Sequence, residues 1–207
     1  MRAELRADGL HISGYVNIPG RESRPVMTPH GRVIEIIEQG AFQKAIERAG
    51  NINMLLDHIP LRILASTQAN TLTVREDAVG LRAESVVTDP EVIEGARKGK
   101  LRGWSFNIRN PKDTLEQRAE GLPIRRITDL DMDEITLVMN KVPVYSSTSI
   151  EVRADTEEAV EYRADLLDEV EFRDTTPKPG SEQGPETKPE SKPEYHAGYR
   201  NRIDALR

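Results

Sequence analysis

The chain has 207 residues, of which 31% are charged and 37% are hydrophobic, and its formal net charge is −6. This acidic balance argues against a protein that coats DNA or binds an anionic membrane surface, because such partners attract cationic chains. Cysteine is absent, which excludes disulfides, thiolate metal sites and a cysteine nucleophile, and no apolar run is long enough for a transmembrane helix.

Most of the first 150 residues are predicted to form short strands. β-branched or alternating apolar residues mark six segments, which are His11–Asn17, Asn51–Asp57, Thr71–Arg75, Leu81–Val87, Arg102–Ile108 and Ile135–Met139. A turn is predicted over Glu76–Gly80, between the third and fourth strands. Short connections of this kind favour a mostly antiparallel sheet or small barrel over a parallel βαβ arrangement, which would need more helices.

Two helices are predicted among these strands. Gly40–Ala49 carries apolar residues at helical spacing, and Asp89–Gly99 has an Asp N-cap followed by Pro90 at the first helical position. The charged segment Pro111–Arg126 is predicted to be a loop. The expected fold class is therefore mainly β with a few packed helices, that is, α+β.

We expect a folded domain over residues 1–153, a connecting segment over 154–174 and a tail over 175–207, and the change of composition at Thr175 marks the clearest of these boundaries. The connecting segment is ambiguous, and a helix over Thr156–Glu169 is one interpretation. The tail is predicted to be disordered, because it is rich in Pro, Glu and Lys and has too few apolar residues to form a core. Its last residues, YHAGYRNRIDALR, are either a frayed end or a docking peptide. No internal repeat is identified along the chain.

His58 is the first candidate for chemistry. It follows the apolar run NINMLLD, and an imidazole at the end of a buried strand can act as a general base near neutral pH. Taken alone, this position is better explained as a structural histidine. The other three histidines, His11, His30 and His196, do not have metal-ligand spacing relative to His58 or to one another, so a zinc site has weak support.

Ser105 lies between Trp104 and Phe106 on a predicted strand. If the two aromatic rings face the core, the hydroxyl faces the opposite side, where a groove could lie. A serine hydroxyl is a poor nucleophile without an adjacent base, and His58 could supply that base.

Glu134 opens the apolar strand ITLVM and follows three acids, Asp129, Asp131 and Asp133. A carboxylate at a strand end can hold an imidazole in one tautomer and stabilise its cation. From these residues alone, the favoured interpretation is a solvated strand edge whose charges prevent aggregation.

The order of these segments resembles the prohead proteases of tailed bacteriophages, of the HK97 type, which act in procapsid maturation. The matching segments are GYVN (Gly14–Asn17), IEIIEQGAF (Ile34–Phe42), MLLDHI with His58, TLTVREDAVGL (Thr71–Leu81), RKGKLRGWSF with Ser105, MDEITLVMN with Glu134 and PVYSSTSIEVR (Pro143–Arg153). The chain departs from the family pattern at Asp57, where Asn is usual, at Ile59, where Asp is usual, and at Trp104 and Asn107, where Met and Gly are common.

The resemblance implies a small closed β-barrel similar to that of the herpesvirus assembly protease, and a serine endopeptidase. In this reading Ser105 is the nucleophile, His58 is the general base, and Glu134 orients the imidazole, with Asp131 and Asp133 as alternatives for the third position. The oxyanion-hole donors are not assigned, and Asn110–Arg126 is a candidate region for them.

The same resemblance implies that the substrates are the capsid protein, scaffold segments and the protease itself. The expected location is the interior of the procapsid in the host bacterial cytoplasm, with no metal or organic cofactor and with no nucleic-acid or membrane partner. The competing hypothesis is a non-catalytic β-barrel that serves as a scaffold or capsid-binding module. The question of a homo-oligomer is left open.

Overall fold

The computed structural model describes residues 1–29, 31–139, 148–152, 159–166 and 170–177. The first sheet contains, in spatial order, β14 (Glu171–Asp174), β1 (Arg2–Arg6), β2 (Gly9–Asn17), β8 (Leu81–Val87) and β7 (Leu72–Glu76). The second sheet has the order β3 (Val26–Thr28), β4 (Gly31–Ile37), β10 (Ile124–Asp131), β9 (Gly103–Glu116), β11 (Glu134–Val138), β5 (Asn53–Leu56) and β6 (Ile63–Ser66). Two further strands extend it, because β13 (Ala159–Leu166) pairs with β9 and β12 (Thr148–Val152) pairs with β13.

The expected fold class is confirmed, because strands dominate the described residues and two helices accompany them. The expected closed barrel is wrong. Closure needs the edge strands to pair with each other, and in the described part of the chain no ladder joins the two sheets. The second sheet branches at β9, whose first half pairs with both β11 and β13 and whose second half pairs with β10. The pairing is mostly antiparallel, as expected, with parallel pairs at β1–β14, β4–β10 and β5–β11.

One hydrophobic cluster includes side chains from both sheets and both helices. Its largest fully buried members include Trp104, Phe42 and Phe106. Phe42 lies on helix α1 (Ala41–Arg48), and its ring meets that of Phe106 edge-on with the centroids 5.4 Å apart. Because Phe106 follows Ser105 on β9, this contact anchors the strand that carries the candidate nucleophile.

Both predicted helices form, and each is capped by a carboxylate. In helix α2 (Pro90–Arg97), the Asp89 side chain accepts the N–H groups of Glu91 and Val92, as the sequence predicts. Helix α1 has no acid in its first turn, and its cap comes from a distant strand. The Glu76 carboxylate on β7 accepts hydrogen bonds from the N–H groups of Gly40 and Gln43.

Two segments differ from the sequence prediction. Most of Pro111–Arg126 is strand rather than loop, because β9 continues to Glu116 and β10 begins at Ile124. This stretch is polar because much of it is exposed, so apolar alternation does not mark it as a strand. The helical interpretation of Thr156–Glu169 is wrong over residues 159–166, which form β13.

Several expectations fall on other parts of the chain. His30, His196, residues 140–147, 153–158 and 167–169, and the tail from residue 178 lie outside the described residues. The predicted tail disorder and the predicted domain boundaries therefore stay predictions. Among the described residues, neither helix has the length and apolar character needed to cross a bilayer.

The turn between β7 and β8 leads to a close backbone approach at Gly80. A β-carbon at Gly80 would lie 2.3 Å from the carbonyl oxygen of Asn17, which is a backbone atom with little freedom to move. We therefore expect Gly80→Ala to lower the free energy of unfolding by about 2 kcal/mol, through overpacking. Urea unfolding at neutral pH would measure the change.

The matched control is Gly50→Ala. A β-carbon at Gly50 would meet no atom within 4 Å, so we expect a change in unfolding free energy within about 0.5 kcal/mol. Equal stability of the two variants would contradict the close approach.

Candidate active site

Three neighbouring strands bring His58, Ser105 and Glu134 together. Strand β11 lies between β5, to which it is parallel, and β9, to which it is antiparallel. Ser105 on β9 stands opposite Thr136 on β11, and Glu134 is the first residue of β11. His58 follows the end of β5. The ladder therefore sets the spacing of all three positions.

A left-handed turn directs the imidazole of His58 toward β11. Asp57 and His58 have φ values of 51° and 57°, which are uncommon for residues other than glycine. Two hydrogen bonds hold Asp57 to the end of β11. The Asp57 carboxylate accepts a 2.7 Å hydrogen bond from the N–H of Met139, and the N–H of Asp57 donates to the carbonyl of Leu137. Asp57, one of the departures from the family pattern, thus stabilises the strained position of its neighbour.

The imidazole contacts both of the other candidate residues. Its Nδ1 lies 2.5 Å from Glu134 Oε1, and its Nε2 lies 2.7 Å from Ser105 Oγ. A proton on Nδ1 is donated to the carboxylate, which leaves Nε2 free to accept the serine proton. The hydrogen bonds thus form one chain from carboxylate to imidazole to hydroxyl, which is the arrangement that activates a serine nucleophile.

The two alternative acids have other partners. Asp131 accepts hydrogen bonds from Arg48 and Asn110, and Asp133 accepts them from Asn107 and Arg109. Glu134 is the acid for which the structure gives a contact with the imidazole. The predicted solvated edge describes Asp131 well, because about half of its side chain is exposed, whereas Glu134 is buried.

Two polar residues that the sequence analysis did not assign to the site hold Glu134 in place. The hydroxyl of Thr136 donates a 2.8 Å hydrogen bond to Glu134 Oε1, and it lies 3.3 Å from Nδ1 of His58. The side-chain amide oxygen Oδ1 of Asn107 accepts hydrogen bonds from the N–H groups of Asp133 and Glu134, which fixes the start of β11. The sequence shows that Thr136 and Asn107 alternate with core residues, but it contains no signal that either side chain would lie next to a carboxylate.

Strand β13 covers the serine, so the expected groove at Ser105 is not open. Ser105 does lie between two core aromatic residues, but it is only 1% exposed. Its hydroxyl is within 2.8 Å of the carbonyl oxygen of Arg163, to which it can donate. Tyr162 packs edge-on against the imidazole of His58, with ring centroids 4.5 Å apart. Because a hydroxyl has one proton, it donates either to His58 or to the Arg163 carbonyl.

A cluster of buried charges holds β13 against the rest of the sheet. Arg163 donates to both carboxylate oxygens of Glu35, at 2.5 and 2.7 Å, and Arg125 donates to both oxygens of Glu161, at 2.7 and 3.0 Å. Arg125 also bonds to Glu35 and to Asp113, and Arg163 bonds to Glu161. Glu35 and Arg125 belong to β4 and β10, so the cluster connects β13 to two other strands.

In this cluster the pKa values of Glu161, Arg163 and Arg125 are shifted in favour of the ionised forms. Burial raises the pKa of Glu161, but the hydrogen bond from Arg125 and the charges of Arg163 and Arg125 outweigh this effect and lower it overall. Burial lowers the pKa of Arg163, and its bonds to Glu35 and Glu161 raise it overall. Both arginines are therefore cations paired with carboxylates in the folded protein.

Two further expectations concern metal binding by the histidines and the region of the oxyanion hole. His11 contacts Asp8 rather than His58, and in the described ranges no three His, Cys, Asp or Glu residues are grouped as metal ligands. Of the segment Asn110–Arg126, considered for the oxyanion hole, only residues 117–123 connect two strands. Glu116, where that connection begins, is eleven positions after Ser105 along β9.

Comparison with known proteins gives one match. A family model described as "Caudovirus prohead serine protease" matches residues 1–163. No curated protein and no solved structure matches the chain. The matched range contains all three residues of the hydrogen-bonded chain at β5, β9 and β11, together with Glu35, Arg125, Glu161 and Arg163 of the buried cluster.

The buried cluster predicts a pH-dependent contribution from Glu161. Its lowered pKa means that the stabilisation is complete above the usual pKa of 4.5 and is lost as the pH falls through the lower value in the folded protein. At neutral pH we expect Glu161→Gln to lower the free energy of unfolding by about 3 kcal/mol, because it breaks a buried ion pair. Below the usual pKa, the difference from wild type should shrink, which urea unfolding at a series of pH values would measure.

Glu171→Gln provides the matched control on an exposed strand. Glu171 lies on β14 with about half of its side chain in solvent, so we expect a change within about 0.5 kcal/mol. A deficit for Glu161→Gln that stayed constant down to low pH would contradict the assigned ion pairs.

Proposed function

The chain belongs to the caudovirus prohead serine proteases, and on this basis we propose that it cleaves capsid and scaffold protein segments, and itself, during procapsid maturation. Membership of this family makes the chain a serine peptidase and implies a location inside the phage procapsid. The proposed setting is the cytoplasm of the host bacterium, where procapsids assemble. Capsid and scaffold proteins are the substrates that such a protease implies.

The observation that carries the assignment of residues is the hydrogen-bonded chain from Glu134 through His58 to Ser105. We assign Ser105 as the nucleophile that attacks the carbonyl carbon of the scissile bond, with His58 Nε2 taking the hydroxyl proton. The imidazolium then protonates the leaving amine, and an acyl-enzyme remains until water hydrolyses it. Glu134 stabilises the cation that forms on His58 and fixes its tautomer.

The competing function, a non-catalytic capsid-binding module, has less support. A binding module has no need for a serine, an imidazole and a buried carboxylate in consecutive hydrogen-bond contact. It also has no need for the left-handed backbone at His58, which costs conformational energy. Strain of this kind is commonly found where a side chain must be aimed at a reacting group.

One test of the proposed function concerns the nucleophile. Co-expression with the cognate capsid and scaffold proteins should shorten those proteins when the protease is wild type and leave them full-length with Ser105→Ala. The control is Ser85→Ala, which removes another buried serine hydroxyl, one that bonds to the carbonyl of Thr71. Gel electrophoresis and mass spectrometry would detect the products. Equal shortening with wild type and Ser105→Ala would assign the cleavage to host proteases.

A second prediction concerns Thr136, which we assign as a positioning residue. Thr136→Val keeps the shape of the side chain and removes the hydrogen bond to the Glu134 carboxylate. We expect kcat to fall about tenfold, because a hydrogen bond to a charged group contributes about 1.5 kcal/mol. Thr136→Ser retains the hydroxyl and should therefore keep most of the activity. Cleavage of a fluorogenic peptide would measure kcat for both variants. Equal losses of kcat would show that Thr136 acts through packing and not through its hydrogen bond.

A further inference from the structure

A short sequence recurs in the chain, contrary to the expectation that no repeat is present. The pattern Glu, apolar or aromatic residue, Arg, Ala, Asp occurs as ELRAD at residues 4–8, EVRAD at 151–155 and EYRAD at 161–165. A shortened copy, EFRD, follows at residues 171–174. The last three copies start ten residues apart, at Glu151, Glu161 and Glu171.

The copy at residues 161–165 lies on β13, in contact with the proposed catalytic residues. β13 runs antiparallel to β9 with Ala164 opposite Ser105, and the carbonyl oxygen of Arg163 is 2.8 Å from Ser105 Oγ. Extended peptides bind many proteins in this way, as an added strand whose backbone pairs with a sheet and whose side chains enter pockets. In acyl transfer to a serine, the carbonyl that meets the nucleophile belongs to the residue after which the chain is cut. Arg163 occupies that position.

The side chains of the same copy enter a pocket of matching charge. The Arg163 guanidinium takes both oxygens of Glu35, and the Glu161 carboxylate takes two nitrogens of Arg125. Glu35 and Arg125 belong to other strands and are about 3% exposed, so they would remain if another peptide replaced β13. Paired arginine and carboxylate groups of this geometry recognise their partner's shape as well as its charge.

We propose that Glu, apolar residue, Arg, Ala, Asp is the cleavage sequence of this protease, that the cut follows the arginine, and that Glu35 and Arg125 select it. The inference rests on the proposed function and assigns the substrate sequence to it. β13 is then a built-in copy of the substrate. The bond cut within the chain is Arg163–Ala164, and Arg153–Ala154 carries the same sequence.

The chemical step starts from the hydrogen bond between Ser105 Oγ and the carbonyl oxygen of Arg163, and it requires Oγ to move from that oxygen to the adjoining carbonyl carbon. Ser105 Oγ bonds to the carbonyl carbon of Arg163 while its proton moves to His58 Nε2, and the C–N bond to Ala164 breaks as that proton passes to the leaving nitrogen. Water then adds to the ester, which releases Arg163 as a carboxylic acid and returns the proton to Ser105. Water is the one co-reactant.

The copy at residues 4–8 provides an internal control. β1 is hydrogen-bonded to β2 as far as Arg6 and to β14 as far as Leu5, and Ala7 lies in the tight turn that leads into β2. A strand held in this way cannot enter a second sheet. The folded protein should therefore be cut after Arg163, and not after Arg6.

The first experiment is mass spectrometry of the purified full chain after incubation at neutral pH. Wild type and Arg163→Lys should yield a fragment that ends at residue 163, whereas Ser105→Ala and Arg163→Gln should stay intact at that bond. A cut after residue 163 in Ser105→Ala as well would assign it to a contaminating protease and overturn the proposal. Arg163 is buried, so Arg163→Gln can fail to fold. We therefore add a second experiment that varies a peptide substrate and leaves residue 163 of the enzyme unchanged.

The second experiment uses a quenched fluorescent peptide with the sequence of residues 159–167 and two variants of it, in which glutamine replaces the arginine or the glutamate. With the wild-type enzyme we expect kcat/KM to fall about 100-fold for the peptide without arginine, because the buried Glu35 then loses both hydrogen bonds from that arginine and keeps the one from Arg125. For the peptide without glutamate, we expect kcat/KM to fall about tenfold. Glu35→Gln should bring the rates for the arginine and glutamine peptides within tenfold of each other. Glu38→Gln changes a half-buried carboxylate that pairs with Arg126 outside the cluster, and it should leave the ratio unchanged.

The outcomes separate this inference from the proposed function. Cleavage of capsid protein by wild type, with equal rates for the three peptides or cuts at unrelated sequences, would overturn the cleavage sequence and leave the protease intact. No cleavage of capsid protein, peptides or the chain itself would overturn both. An unchanged peptide preference in Glu35→Gln would overturn the role of Glu35.

Discussion

The pairing of β11 with β5 on one side and β9 on the other is the constraint on which the site depends. Parallel pairing with β5 brings the imidazole of His58, the second residue after that strand, next to Glu134 and Thr136 on β11. Antiparallel pairing with β9 places Ser105 opposite Thr136, two residues from Glu134. A shift of register by one residue would turn Ser105 or Glu134 to the other face of the sheet. Asn107 and Asp57 hold the two ends of β11, so the register is fixed where it matters.

The three residues that the structure brings into hydrogen-bond contact could be named from the sequence because each begins, follows or interrupts a recognisable apolar strand, and because the segments follow a family order. The β7–β8 hairpin and both helices could be predicted for the same local reasons. Whether the sheets close into a barrel could not be predicted, since strand propensity does not say which edges pair. The second half of β9 was not recognised because its side chains are largely solvated. β13 was not recognised because its charges pair with Glu35 on β4 and Arg125 on β10, which are distant in the sequence.

The buried charge cluster has a meaning beyond stability. Burying two arginines and two glutamates costs desolvation free energy, which offsets much of the attraction between their charges. An apolar core of equal volume would therefore hold β13 at least as well. What a charged pocket adds is discrimination, because it penalises any occupant whose charges do not match. The site would then recognise substrate side chains with the same groups that hold its own strand in place.

The parallel pairing of β14 with β1 has a consequence for how a processed molecule would behave. β14 follows Arg163 in sequence, yet its backbone is bonded to the first strand of the chain, and the N–H of Thr175 donates to the carbonyl of Leu5. A nick between the two would leave the released piece docked as a non-covalent complement. The two fragments would elute together in native chromatography and separate only under denaturing conditions. A measurement of the native size would therefore not detect that the chain had been cut.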